Sequence, residues 1–406
     1  MPPTGGDPVS SDRPLDAVVA GHICFDVIPQ FVKSAPTLAE LFRPGSLVQM
    51  GPVTTSTGGP VSNTGIAMSI LGARVELMGK VGDDFFGHAL LGRLRELGKA
   101  GGMIVVPGEQ TSYTIVVIAP GHDRMFLHNP GANNTFGADD VRYDVVANAR
   151  LFHLGYPPLM KHLFANGGEQ LAETFRRAKE TGATTSLDMS LPDPASDSGQ
   201  VDWRELLQRT LPHVDLYVPS AEETLFMLER DTYMAKMREA AGRDLLEVIT
   251  PADVTHIADV CLSMGPGVVM IKCGHKGIYI RTAGQARLDK IGAAKPSGGK
   301  WTDREMWESS FHVDPVAGAT GSGDSSIAGF LSAYLRGLPI ETCLRMANAV
   351  GGCNVTRPDA ISGILSWDET VKKIDAGWTK NPLGVKERGW RWDAQGQRYH
   401  GPNDRG

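Results

Sequence analysis

Little in this sequence of 406 residues points to disulfides, membranes or nucleic acid. Its five cysteines, Cys24, Cys261, Cys273, Cys343 and Cys353, are an odd number, widely spaced and without a CxxC pair. That pattern argues against a disulfide framework or a thiolate zinc site and predicts buried, reduced thiols. No uninterrupted apolar run approaches the ~18 residues needed to cross a bilayer. The opening MPPTGGDPVSSDRP lacks the apolar core of a signal peptide, so a cytoplasmic protein is expected. Lysine and arginine number 40 against 46 aspartates and glutamates, a net charge of −6, and no long basic run is present. Neither nucleic acid nor a membrane surface is expected as a partner. There is no GxGxxG opening a βαβ unit, no HExxH and no GxSxG elbow. GGKW at 298–301 has Trp301 where a P-loop needs Ser or Thr, and the eleven histidines show no tight metal-ligand spacing.

What the sequence does contain is a repeated alternation of strand and helix. LDAVVAGHICFDVI reads as a buried strand, a glycine turn and a second apolar run ending near Ile28. Residues 33–57 are irregular, with prolines at 36, 44 and 52, and predict loops and edge strands of a flap. TSYTIVVIAP and RMFLHN, separated by GHD, predict a β-hairpin. From ARLFHLG to GVVMIKCG, strands and amphipathic helices follow one another, the pattern of a parallel sheet covered on both faces. Two stretches, 230–249 and 293–308, interrupt the rhythm and read as surface insertions. The segment 381–406 is polar but holds Trp390, Trp392 and Tyr399, and so is expected to pack on the body or on a partner subunit.

The most informative segment is AGATGSGDSSIAGFLSAYLRG, residues 317–337, a turn of small residues running straight into a helix. Gly321, Ser322 and Gly323 offer backbone N–H groups with little obstruction, and the helix start adds its positive dipole end, which makes an anion cradle. Asp324 at that position is either an N-cap or a general base that deprotonates a substrate hydroxyl. A second segment, GGPVSNTG, follows Asp26 in the chain. Gly58 and Gly59 permit close backbone approach, while Asp26 and Asn63 can hydrogen-bond vicinal hydroxyls of a polyol. Taken singly, each of these polar residues is equally compatible with a turn.

Together the two segments resemble the two signatures of the PfkB family of carbohydrate kinases, which have the ribokinase-like fold. The first runs from GGPVSNTG to GDDFFG, and the second is ATGSGDSSIAGFL, the counterpart of the family's DTxGAGD. HNPGAN, VPSAEET, IKCGHKGIYI and ANAVGG fall between or after them in the family's order. The resemblance implies a three-layer α/β/α fold with a mostly parallel central sheet. It also implies a small β-rich lid from about 30–57 and 108–130 and a kinase domain over 15–380, behind the 1–14 stretch of Pro, Gly, Ser and Asp that is expected to be flexible. It further implies ATP with Mg²⁺ as phosphoryl source and a primary hydroxyl of a sugar, sugar acid or nucleoside as acceptor. Family members often pair as homodimers. By residue, it implies Asp324 as base and Gly321, Ser322 and Gly323 as anion hole, with Asp26, Gly58, Gly59 and Asn63 on the acceptor. Asn129, beside His128, belongs to the loop that sets specificity. Glu223 would act on Mg²⁺ through water, and Ser220, Lys272, Gly274, Gly277, Thr320 and Asn348 would border the nucleotide.

Three departures from the family pattern involve four positions. Gly318 and Ala319 replace its Asp and Thr, which argues against potassium activation unless Asp314 compensates. Ser220 replaces the Asn of NxxE and alters the hydrogen-bond reach near magnesium. Ser322 replaces an Ala, a harmless change where backbone N–H groups do the work. The rival expectation is a catalytically silent member of the fold that serves as a metabolite sensor or scaffold.

Overall fold

Strand β1 (Leu15–Gly21) is apolar on both sides: Ala17 and Val19 enter one buried cluster, Val18 and Ala20 the other. Such a strand is stable only with helices on both faces of its sheet, and each fully buried Val or Leu contributes about 1.5–3 kcal/mol. In the computed structural model, which describes residues 13–34, 37–121 and 125–406, this is the arrangement found. Most of the expected flexible stretch 1–14, and Arg124, lie outside the described residues.

The remaining strands are β2 (Cys24–Phe31), β3 (Met50–Gly58), β4 (Val75–Gly82), β5 (Met103–Val106), β6 (Tyr113–Val117), β7 (Met125–Asn129) and β8 (Ala149–Gly155). They continue as β9 (Thr184–Leu187), β10 (Leu216–Tyr217), β11 (Val268–Lys272), β12 (Ile278–Thr282), β13 (Glu305–Glu308), β14 (Arg391–Asp393) and β15 (Arg398–His400). An eleven-stranded sheet has the order β14-β15-β13-β12-β11-β10-β9-β8-β1-β4-β5. From β5 to β11 every pair is parallel, and from β11 to β14 every pair is antiparallel. Helices Lys161–Glu180, Trp203–Thr210, Ala221–Leu228 and Pro251–Ser263 bury their apolar sides against one face. Helices Pro60–Ile70, Phe85–Glu96, Ser322–Leu335 and Ile340–Asn354 cover the other.

A second, smaller sheet, ordered β3-β2-β6-β7, comprises the segments expected to form the lid. The GDDFFG turn fixes it: Asp84 caps helix Phe85–Glu96 through the Gly87 N–H at 2.8 Å and accepts the Thr111 N–H, also at 2.8 Å, just before β6. The β6–β7 pair is the expected antiparallel hairpin.

Both segments read as surface insertions are built into the body. Tyr233, Ala240, Leu245, Leu246 and Ile249 of the first are buried, and β13 of the second lies inside the main sheet with all four residues buried. Composition misleads there because the charges are paired in place. Glu308 takes ion pairs from Lys380 (2.6 Å) and Arg398 (3.2 Å), and Glu305 accepts the Tyr279 hydroxyl at 2.9 Å. The C-terminal strands β14 and β15 extend the sheet beyond β13, and Trp390 packs among Tyr279, Trp307 and Tyr399. All five cysteines are buried and unpaired.

Candidate active site

Five side chains that share no sequence neighbourhood meet because parallel strands end together. In register, Gly21 of β1 faces Gly155 of β8, Leu154 faces Leu187 of β9, and Leu187 faces Tyr217 of β10, which faces Val269 of β11. His22, Tyr156 and Asp188 are each the first residue past their strand, Ser220 follows β10, and Lys272 closes β11. The carboxyl ends of parallel strands are where α/β sheets bind ligands, since the chain departs there in both directions and leaves a crevice.

Helix Ser322–Leu335 points its N-terminus at this crevice. Its first turn is entered through Gly321 at φ 72°, where a Cβ would lie 2.5 Å from that of Ala360, so only glycine fits. The Ser322 N–H donates to the Ala319 carbonyl at 3.3 Å. Residues 323 and 324 belong to the turn in which a helix leaves N–H groups without internal partners, next to the half-buried Thr320. Asp324 follows, only 1% exposed. Its Oδ2 accepts from Asn63 Nδ2 at 2.9 Å and from the Tyr156 hydroxyl at 3.0 Å, while its Oδ1 has only Thr64 Oγ1, at 3.4 Å. Burial raises the Asp324 pKa, and Asn63, Lys272, Tyr156 and Thr64 pull it back.

Asp26 on β2 and the glycine pair form the lid side of the same space. A Cβ on Gly58 would run into the Asp26 carboxylate, and one on Gly59, at φ 83°, would lie 2.6 Å from both His22 Nδ1 and the His22 carbonyl oxygen. Two adjacent glycines are thus required by two adjacent polar side chains. Burial pushes Asp26 up to about 6, against hydrogen bonds from Cys24 and Thr114. A polar chain continues across the lid: Cys24 Sγ donates to Asp26 at 3.2 Å, Thr114 Oγ1 and His128 Nδ1 are 3.0 Å apart, and His128 Nε2 and His22 Nε2 are 3.3 Å apart. Burial holds both imidazoles neutral, His128 at about 4 and His22 well below its ordinary value. Asn63 Oδ1 and His22 Nδ1 are buried without a partner, two open hydrogen-bonding positions at one place.

On the opposite side Lys272 Nζ binds Asp188 Oδ1 at 2.5 Å and the Val218 carbonyl at 2.8 Å. Burial opposes its charge, but Asp188, Glu223 and Asp324 around it outweigh that and raise its pKa. Ser220 and Glu223 form a capping box at the start of helix Ala221–Leu228, with the Ser220 N–H donating to Glu223 Oε2 at 2.6 Å. Gly274 and Gly277 shape the β11–β12 turn at φ 50° and 91°. Asn348 is buried within its helix and donates to the Leu344 carbonyl at 3.2 Å. Asn129 does not join the cluster. Its Oδ1 accepts the Gly131 N–H at 3.1 Å and its Nδ2 donates to Gln110 at 3.3 Å, so its side chain holds the turn after β7 while His128 meets the polar chain.

His22, Tyr156, Asp188 and Thr114 join this cluster although none of them lies in a motif singled out from the sequence. The signal was available for three of them, a polar or aromatic residue in the first position after a buried strand.

The family model described as pfkB family carbohydrate kinase matches residues 15–367. The chain belongs to this family. As a pfkB family carbohydrate kinase it is a phosphotransferase with an alcohol group as acceptor. Among curated relatives it is 28% identical to a nucleoside kinase of Methanothermobacter thermautotrophicus over 92% of this chain and 99% of that protein. It is 27% identical to the probable fructokinase-4 of Arabidopsis thaliana over 77% and 85%. The fold matches that of Arabidopsis thaliana ribokinase complexed with ribose and ATP, with a TM-score of 0.65 at 19% identity over 88% of this chain and 98% of that one. The pfkB family chain therefore has the ribokinase-like α/β fold with its smaller second sheet.

Proposed function

We propose that this kinase moves the γ-phosphoryl group of ATP to a primary hydroxyl of a sugar or related polyol held between Asp26 and Asp324. The observation that carries this reading is the buried Asp324 carboxylate at the head of a 14-residue helix beside the Gly321 and Gly323 turn. Asp324 takes the proton from the acceptor hydroxyl, the freed oxygen forms its bond to the γ-phosphorus, and ADP leaves with the electron pair of the broken bond. The helix dipole and the turn N–H groups favour the negative charge of the transferring group. Asp26, Asn63 Oδ1 and the neutral His22 suit the remaining hydroxyls, since between them they accept and donate. Lys272 supplies the fixed positive charge on the nucleotide side.

Mg²⁺ fits this chemistry through water. Among the described residues no cluster of three His, Cys, Asp or Glu side chains could cage an ion directly, while Asp188 Oδ2 is buried and unpartnered beside Glu223. Glu223 and Asp188 would hold its water shell, and the ion would shield phosphate charge. A nucleoside acceptor is the second reading, supported by the near full-length match to a nucleoside kinase.

The test is ADP release from Mg·ATP across sugars, sugar acids and nucleosides, with the Asp324→Asn protein beside the native one. Turnover on one acceptor that falls about 10²–10⁴-fold in the variant is expected for loss of a general base. Equal turnover in the two proteins would reject the assignment, and silence across the panel would favour a sensor or scaffold.

A further inference from the structure

Tyr156 holds the most unusual backbone position in the crevice. It directly follows β8 and adopts the left-handed conformation, φ 64° and ψ 44°, with Pro157 and Pro158 behind it. An aromatic residue there costs of order 1–3 kcal/mol, and such outliers persist where surrounding structure enforces them and cluster at functional sites. Here the enforcement is visible. The Tyr156 N–H donates to the Asp188 carbonyl at 3.3 Å, its carbonyl accepts the Leu159 N–H at 3.0 Å, and its ring lies 6.1 Å from that of His22. The strained backbone thereby aims the phenol at one atom, Asp324 Oδ2, 3.0 Å away.

We infer that Tyr156 is a positioning residue for phosphoryl transfer, which with Asn63 fixes Asp324 Oδ2 so that Oδ1 is the oxygen that takes the acceptor's proton. Two donors at 2.9 and 3.0 Å saturate Oδ2, whereas Oδ1 has one long contact at 3.4 Å. A carboxylate held by one oxygen cannot rotate, so its second oxygen stays aligned with the acceptor hydroxyl, and alignment of this kind is worth a large share of a transfer barrier. Burial keeps the phenol protonated, so it donates at every working pH. Donation to the ionised carboxylate favours the charged form that a base requires. The inference rests on Asp324 being the base.

The experiment is the pH dependence of kcat for the native enzyme, Tyr156→Phe and Asp324→Asn, with KM for the acceptor and Tm measured on each. The charged and titratable groups that act on Asp324 are Lys272 from β11, Asp188 after β9, Glu223 from helix Ala221–Leu228, and Cys24 and Asp26 from the second sheet. The phenylalanine variant keeps all of them. It is expected to lose about tenfold in kcat, the scale of one hydrogen bond to a charged group, with acceptor KM nearly unchanged. Its acid limb should move to higher pH, because the carboxylate loses a donor. A Tyr156→Phe limb that stays where the native one lies overturns the inference, whatever happens to kcat, since a purely structural role would lower the rate without moving the limb. Should the phenylalanine protein not fold, Asn63→Ser, which removes the other donor to Oδ2, is to move the limb in the same direction, and an unmoved limb there is equally fatal. Full activity in Asp324→Asn would instead overturn the assignment of the base itself, so the two failures are distinguishable.

Discussion

Asp26 is stabilised as a neutral acid in the fold and as a carboxylate in the unfolded chain. Burial raises it from 3.8 to about 6, so the folded state binds the proton more tightly, and the associated stability is full below about pH 4 and lost as pH rises through about 6. A shift of that size corresponds to about 3 kcal/mol at neutral pH as an upper figure. Asp26→Asn is therefore expected to lie close to the native Tm at pH 3.5 and to exceed it at pH 7.5, while losing affinity for the acceptor. Parallel melting curves at the two pH values check this, and a constant difference between the proteins would contradict it. Lys272 shows the opposite logic. Its partly buried ammonium neutralises the fully buried Asp188 carboxylate at 2.5 Å. Removing one partner of such a pair strands the other charge, so Lys272→Met is expected to cost about 3–5 kcal/mol in urea unfolding. It should also raise KM for ATP.

At the scale of elements, the junction of β3 with helix Pro60–Ile70 carries two demands on one residue. Gly59 needs a left-handed backbone and also has His22 atoms 2.6 Å from where a Cβ would be. Gly98, at φ 67° with nothing within 4 Å, meets only the first demand. Gly98→Ala is expected to cost about 1 kcal/mol. Gly59→Ala should cost more than that and raise acceptor KM as well, and equal losses would mean that contact with His22 is immaterial. This contrast also explains what could be read from the sequence. Gly58, Gly59, Gly321 and Asp324 were legible because each answers a local backbone requirement that turn and helix chemistry expresses in a few adjacent residues. Tyr156, His22 and Asp188 carry only a weak local mark, a polar or aromatic residue just past a buried strand, and that they meet is decided by strand register between segments far apart in the chain. Asn129 misled for a related reason: its amide caps a local turn, a use that its spacing could not distinguish from ligand binding. Segment 293–308 misled because it interrupts the strand–helix rhythm, although its Glu305 and Glu308 are buried against Tyr279, Lys380 and Arg398.

For the whole molecule, the antiparallel flank carries buried ion pairs within its apolar packing. Glu308 is fully buried between Lys380 and Arg398, and Arg304 reaches Asp404 at 2.6 Å. Glu308→Gln leaves two buried cations without their counter-charge and is expected to lower stability by about 3–5 kcal/mol, measurable as a reduced urea midpoint with unchanged slope. An equivalent midpoint would mean that water reaches the pair. The outer strands matter in another way during synthesis. β15 is encoded about ninety residues after β13, the strand it covers. At ordinary translation rates β13 therefore waits roughly five to twenty seconds for its neighbour. During that interval the nascent chain acquires helix Ser322–Leu335 while the sheet beside it ends in an open edge at β13, a template for pairing with other unfinished copies. Soluble yield of this kinase should consequently depend on how fast the chain is made and how densely ribosomes crowd its message, quantities on which the finished fold has no bearing.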